Sequence, residues 1–271
     1  MSAAAPSPVR SDVSPRSLLS KVPEVTAVFW VTKVLTTGMG ETASDFLVRR
    51  IDPFIAVSVG FAAFAVALVL QLRARRYVPW IYWLAVSMVS VFGTMAADVV
   101  HIEFGVPYVV STVAFLLALA AVFVVWNAAE HTLSIHSIRT RRRELFYWAT
   151  VLTTFALGTA AGDMTATTMH LGYFASGVLF AVVIAIPALA HWRLGLNAIV
   201  AFWLAYIVTR PLGASFADWM GVPASRRGLD WGTGPVTLAL AALIAVLVGY
   251  LTITHSDVLE EDRIQSDAEV H

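Results

Sequence analysis

FWVTKVLTTGMGETASD (residues 29–45) returns, respelled, three more times along the chain: YWLAVSMVSVFGTMAAD (82–98), YWATVLTTFALGTAAGD (147–163) and FWLAYIVTRPLGASFAD (202–218). Each copy opens with an aromatic residue followed by Trp. With that Trp as position 0, a Gly stands at position 10, a small residue at 14 and an Asp at 15. Every copy lies inside an apolar stretch long enough to cross a bilayer, so four carboxylates are carried into or close to lipid. An acid there is costly, and by default it marks function. Repetition at a fixed period also decides the architecture before any single residue is weighed.

The 271 residues are 58% hydrophobic and 13% charged, with a mean hydropathy of +0.75, the composition of an integral membrane protein. Apolar stretches near 25–46, 54–72, 80–100, 108–128, 146–164, 171–190, 197–219 and 235–254 each approach the roughly 20 residues that a bilayer core requires. The expected fold is therefore all-α: eight transmembrane helices forming four parallel two-helix repeats (about 21–72, 77–128, 143–190 and 197–254) within one domain, 21–255. Residues 1–20, which carry no secretory signal, read as a disordered tail, and 256–271 as an acidic one. Arg and Lys cluster in the tails and in the second, fourth and sixth loops, twelve against four on the other side. The positive-inside rule thus predicts an inner-membrane protein with both termini cytoplasmic.

Cysteine is absent and the formal net charge is zero. Thiolate metal sites and disulfides are excluded, and nothing points to a nucleic-acid partner. The expected partners are the lipid bilayer and a cation or proton. The even spans are almost purely aliphatic, aromatic or small, which predicts odd helices inside and even helices facing lipid. In each odd span the residues at 10 and 14 form a small-xxx-small pair (Gly40/Ser44, Gly93/Ala97, Gly158/Gly162, Gly213/Ala217), so backbones can approach closely on the face that adjoins the Asp. Fifteen residues of helix place that Asp about 22 Å beyond its Trp.

Two readings of the repeated Asp stand side by side: a brace repeated because the geometry repeats, or a shared cation site made of Asp45, Asp98, Asp163 and Asp218. Residues that break the repeat are the stronger candidates. Glu41 adds a fifth acid, and Lys33 and Arg210 are the only fixed bases in the inner spans, placed to serve as counter-ions. Gly38 and Gly40 in the first unit, and Pro211 in the fourth, predict loosened backbone beside the charges. Met39, His101 and His170 are possible ligands for a first-row metal such as manganese, although Met is more often packing filler. Glu130, His131 and His136 read as a topology-anchoring loop, with an ion entrance as the alternative.

The stretches KVPEVTAVFWVTKVLTTGMGETASDFL (21–47), EHTLSIHSIRTRRRELFYW (130–148), FALGTAAGD (155–163) and FWLAYIVTRPLGASFADW (202–219) resemble a bacterial family of membrane-anchored proteins. That family is built from four copies of a two-span repeat of unknown function. The likeness implies the fold and topology and supplies no reaction. From the residues themselves the leading expectation is a secondary transporter or exchanger moving a cation against protons. There is no cofactor, and no ATP-binding loop to drive it. No enzymatic pattern is present. Gly162-Asp163 lacks the context of an intramembrane aspartyl protease, and the histidines are not stacked for haem. The alternative is a non-transporting scaffold, or a permease for a neutral organic solute with the motif tryptophans along its path.

Overall fold

The computed structural model describes residues 19–258. Among them are eight long α-helices: α1 (Ala27–Val48), α2 (Pro53–Arg73), α3 (Pro79–Ile102), α4 (Tyr108–Glu130), α5 (Arg141–Asp163), α6 (Tyr173–Leu194), α7 (Ala198–Gly221) and α8 (Thr233–Thr254). Local chemistry sets their ends. Thr26, Asp52, Thr140 and Asn197 accept hydrogen bonds from first-turn N–H groups through their side chains, which satisfies donors that a helix start leaves orphaned. Pro53 and Pro79 sit at helix starts, where a missing N–H costs nothing. His131, Gly195 and His255 end their helices in the left-handed conformation.

Seven of these helices are long and apolar enough to cross a membrane. The other, α1, has 22 residues and carries Lys33, Glu41 and Asp45. The even helices expose large apolar side chains such as Phe54, Val59, Val66, Leu117, Val182 and Val246. Such a coat suits hydrocarbon, not water.

Helices α1, α3, α5 and α7 pack on one another in a closed cycle, α7 returning to α1. Each even helix leans chiefly on the odd helix of the following unit: α2 on α3, α4 on α5, α6 on α7 and α8 back on α1. Contacts across the cycle are in register. The aromatic residue that opens each copy meets the Trp of the next: Phe29–Trp83 at 5.7 Å, Tyr82–Trp148 at 5.8 Å, Tyr147–Trp203 at 6.2 Å and Phe202–Trp30 at 5.7 Å between ring centroids. Within each copy the two rings meet edge to face at 5.1–5.3 Å. Eight rings thus close one continuous aromatic collar, each contact worth about 0.5–1.5 kcal/mol beyond its area.

The glycine at position 10 explains the next level. A Cβ there would come 1.9 Å from Ser90 Oγ at Gly40, 2.8 Å from Phe155 Cβ at Gly93, 2.4 Å from Arg210 Cγ at Gly158 and 2.0 Å from Thr37 Oγ1 at Gly213. Ser90, Phe155, Arg210 and Thr37 all stand at position 7. The absent side chain of one unit is therefore the seat for position 7 of its neighbour, four times around. Neither Gly38/Gly40 nor Pro211 breaks its helix: α1 and α7 run through them uninterrupted. The loosening expected there is replaced by tight apposition, with Pro211 Cδ lying 2.9 Å from where a Gly158 Cβ would be. The irregular inner segment is instead Met164–Thr168, a π-helical turn continuing α5.

The face that gathers both chain ends is closed by chain segments tied to one another. Tyr77 N donates to Ser20 O at 2.8 Å, Lys21 N to Ile138 O at 3.0 Å and Glu24 N to Asp257 O at 2.8 Å. Buried Glu144 takes Lys21 Nζ at 2.5 Å and Gln71 Nε2 at 3.0 Å, and Tyr77 OH donates to Asp257 Oδ2 at 2.5 Å. Of the expected tails, 1–20 and 256–271, residues 1–18 and 259–271 lie outside the described residues. Their predicted inner edges, Ser20 and Asp257, are buried and bonded, because they cap the collar.

Candidate functional site

Positions 3, 7, 11 and 15 follow one another at i+4 and so share one face of each odd helix. Around the axis of the cycle they make four levels: Lys33, Val86, Val151 and Tyr206; then Thr37, Ser90, Phe155 and Arg210; then Glu41, Thr94, Thr159 and Ala214; finally the four Asp. All twelve side chains of the first three levels are buried. The axis is lined by the repeat, and its charge is set by the few residues that break it.

Arg210 climbs from its own level to the next. Its Nη2 donates to Glu41 Oε2 at 2.5 Å, to Thr159 Oγ1 at 2.8 Å and to Thr94 Oγ1, while Nη1 reaches Thr37 O at 3.3 Å. Three of these partners occupy position 11 of the first three units, and the fourth unit has Ala214 there. Arg210 is 1% exposed and Glu41 5%. A pair this deep is costly to half-remove, since the survivor is an uncompensated charge.

One turn below, Lys33, 1% exposed, has its Nζ 4.1 Å from the ring centres of both Phe155 and Tyr206. Its neighbours are aromatic faces, a setting that attracts an ammonium. Beneath it, Tyr82 and Tyr147 share a hydroxyl–hydroxyl bond of 2.5 Å at the collar.

The four Asp do not behave alike. Asp45 pairs with Arg49 at 2.5 Å on its own helix, partly exposed, which fits the brace reading. Asp98 and Asp163 are partly buried and Asp218 is buried; none of the three has an ion pair or side-chain hydrogen bond among the described residues. Glu41 is an electrostatic neighbour of all three. The structure thus brings Glu41 and Arg210 into contact and gathers three unpaired carboxylates around them.

The metal expectation is not met. Among the described residues no group of three or more His, Asp or Glu side chains is placed to hold a metal. Met39 lies in an apolar cluster with Ala43, Val91 and Met95. His101 spends Nδ1 on Val106 O at 3.0 Å and lies tilted against the Tyr108 ring at 4.1 Å, and His170 is exposed in the segment between α5 and α6. Glu130 is held by Arg142 at 3.1 Å and Arg143 at 2.8 Å.

Sequence reasoning missed the partners of Arg210. Thr94 and Thr159 were visible as equivalents of Glu41, and that equivalence was the available signal. It also missed a cavity of about 580 Å³ beside the collar, lined by Trp30, Val34, Phe202 and Ala205 with Ile184 and Ala188 of α6. Trp30 is the one motif tryptophan that is not buried.

The chain matches the family model described as Repeat of Unknown Function (DUF347) four times, over residues 28–77, 81–132, 146–196 and 201–257. No curated protein and no solved structure matches it.

Proposed function

Because the chain belongs to this family of repeats of unknown function, four copies filling nearly all of it, we propose a role for the axis the repeats enclose: secondary transport or exchange of a cation coupled to protons. In this reading all eight helices span the inner membrane as four parallel two-helix repeats, with both termini in the cytoplasm and the Asp level towards the outside. The observation that carries it is the meeting of Glu41 with Arg210 on the axis. The first unit departs from the repeat with Lys33 and Glu41 and the fourth with Arg210, and Glu41 and Arg210 touch.

The chemistry follows from the levels. Asp98, Asp163 and Asp218 attract a cation to the outer end of the axis. Glu41 is the acceptor within, and Arg210 is its internal counter-ion, holding the carboxylate when nothing else does. An incoming cation or proton competes with the guanidinium, so loading and release of Arg210 are linked. The collar and the bonded segments beneath it close the cytoplasmic end, and transport requires that they part. Energy comes from an ion gradient. Purified protein in proteoliposomes, assayed for proton and cation flux, tests this: Glu41→Gln abolishes flux in a protein that still folds. Unchanged flux would refute it.

The cavity beside Trp30 favours one second reading, a permease for a neutral organic solute. Flux of apolar solutes that survives Glu41→Gln and fails on Trp30→Ala would support that reading instead.

A further inference from the structure

At one nitrogen of Arg210 there are more acceptors than protons. Nη2 carries two N–H groups and faces three oxygens, those of Glu41, Thr94 and Thr159. Neither threonine can turn its own proton inward. Thr94 Oγ1 donates to Ser90 O at 2.9 Å and Thr159 Oγ1 to Phe155 O at 3.0 Å, so both present lone pairs to the axis. Thr37 O adds a fourth acceptor. Meanwhile Arg210 Nε, also buried, has no partner at all. A guanidinium prefers planar, bidentate pairing in which its fork is filled. Here one nitrogen is oversubscribed and another is idle.

Oxygens converging on a point, with no directional donors required, describe the coordination shell of a spherical cation. We propose that this cup is a binding site for a monovalent alkali cation, and that the Arg210 guanidinium stands in it as the competitor that the ion displaces. The donors around Nη2 are one carboxylate and two hydroxyls, with the Thr37 carbonyl adjoining at Nη1. All are hard oxygens, and only one carries full charge. Iron, nickel, copper and zinc favour imidazole or sulfur ligands, and the cup has neither; Met39, His101 and His170 lie elsewhere. Divalent ions draw on several carboxylates, whereas the remaining three position-11 groups are two threonines and Ala214. This inference takes the cation of the proposed transport reading and names its class.

The test uses the full chain in detergent micelles, with thermal unfolding followed in NaCl, KCl, MnCl2 or choline chloride at matched ionic strength. Arg210→Met removes the competitor and leaves the cup. It melts low in choline chloride and regains about 5 °C or more in NaCl or KCl. Half-maximal stabilisation comes at a concentration roughly tenfold below that of the unsubstituted protein, as mass action requires when a competitor is removed. Adding Thr94→Val and Thr159→Val, or Glu41→Gln, abolishes the rescue. Equal melting in all four salts, or rescue by MnCl2 above the alkali salts, overturns the proposal. Should Arg210→Met fail to fold, Thr159→Val with Arg210 retained raises the half-maximal alkali concentration about tenfold, and an unchanged concentration overturns it equally. Alkali binding without flux in proteoliposomes would sink the transport reading and leave the site. Flux of Mn2+ that depends on Glu41, with no alkali binding, would do the reverse.

Discussion

Gly213→Ala adds one methyl group to the axis, and the surroundings of that methyl give the size of the effect. The new Cβ would lie 2.0 Å from Thr37 Oγ1, 2.6 Å from Val34 O and 3.1 Å from Gly38 N. The hydroxyl could rotate away, but the two backbone atoms could not, so α1 and α7 must separate. Overpacking of this kind costs about 1–3 kcal/mol, against a gain of about 0.5–1 kcal/mol from replacing a helical glycine by alanine. Gly162→Ala is the internal control: its nearest neighbour, Pro211, lies 3.7 Å away, an ordinary contact, so only the gain of up to about 1 kcal/mol remains. The two substitutions are chemically identical and should differ by the overpacking cost alone, about 1–3 kcal/mol in unfolding free energy. Reversible unfolding in mixed micelles of increasing SDS content reads that difference directly. Thr37→Ala should fail to rescue Gly213→Ala, because the carbonyl of Val34 is still in the way. Equal stability of the two glycine variants, or full rescue by Thr37→Ala, would refute the reading of position 10 as the seat for the neighbouring helix.

Other expectations rest on separate features. Glu41→Gln or Arg210→Met alone should each cost about 3–5 kcal/mol, and the double variant Glu41→Gln/Arg210→Met much less than their sum, as a double-mutant cycle in the same micelles would show. Lys21→Met strands buried Glu144 and should destabilise by a similar amount, about 3–5 kcal/mol, in the same unfolding assay. Burial raises the carboxyl pKa of Asp257. Since the folded protein then holds that proton more tightly than the unfolded chain, stability should fall as pH rises from 3.8 through the folded value. Asp257→Asn should flatten that slope in a pH series of melting curves.

Much of the scaffold was legible because the repeat states it four times. The Trp at 0, the Gly at 10 and the Asp at 15 carry helix face and close approach in their spacing alone. Glu41, Lys33 and Arg210 stood out as exceptions to the pattern. What stayed hidden was the step of one unit between partners. Gly40 meets Ser90, not a residue of its own copy, and Arg210 meets Glu41 across 169 positions of chain. Such pairs obey the cyclic order of helices, which no local spacing encodes. Pro211 conceals its partner in the same way: α7 runs through it uninterrupted, and it lies against Gly158 of the neighbouring unit. Asp45 likewise looked equivalent to the other three acids until Arg49, four residues on, claimed it. His101 and Met39 have the chemistry of metal ligands, and only packing reveals that one is spent on a loop carbonyl and the other on an apolar cluster.

The way α8 returns to lean on α1 has a consequence for where the chain needs to begin. Each outer helix supports its successor, so a ring of four equal units has no intrinsic first member. Glu24 and Asp257 are already joined by a 2.8 Å backbone bond, leaving little distance for a linker to bridge. A gene reordered to start at Thr140, with the old ends fused by a short flexible peptide, should yield the same bundle. The order of synthesis would then be a historical accident, and the ring itself the unit that folds.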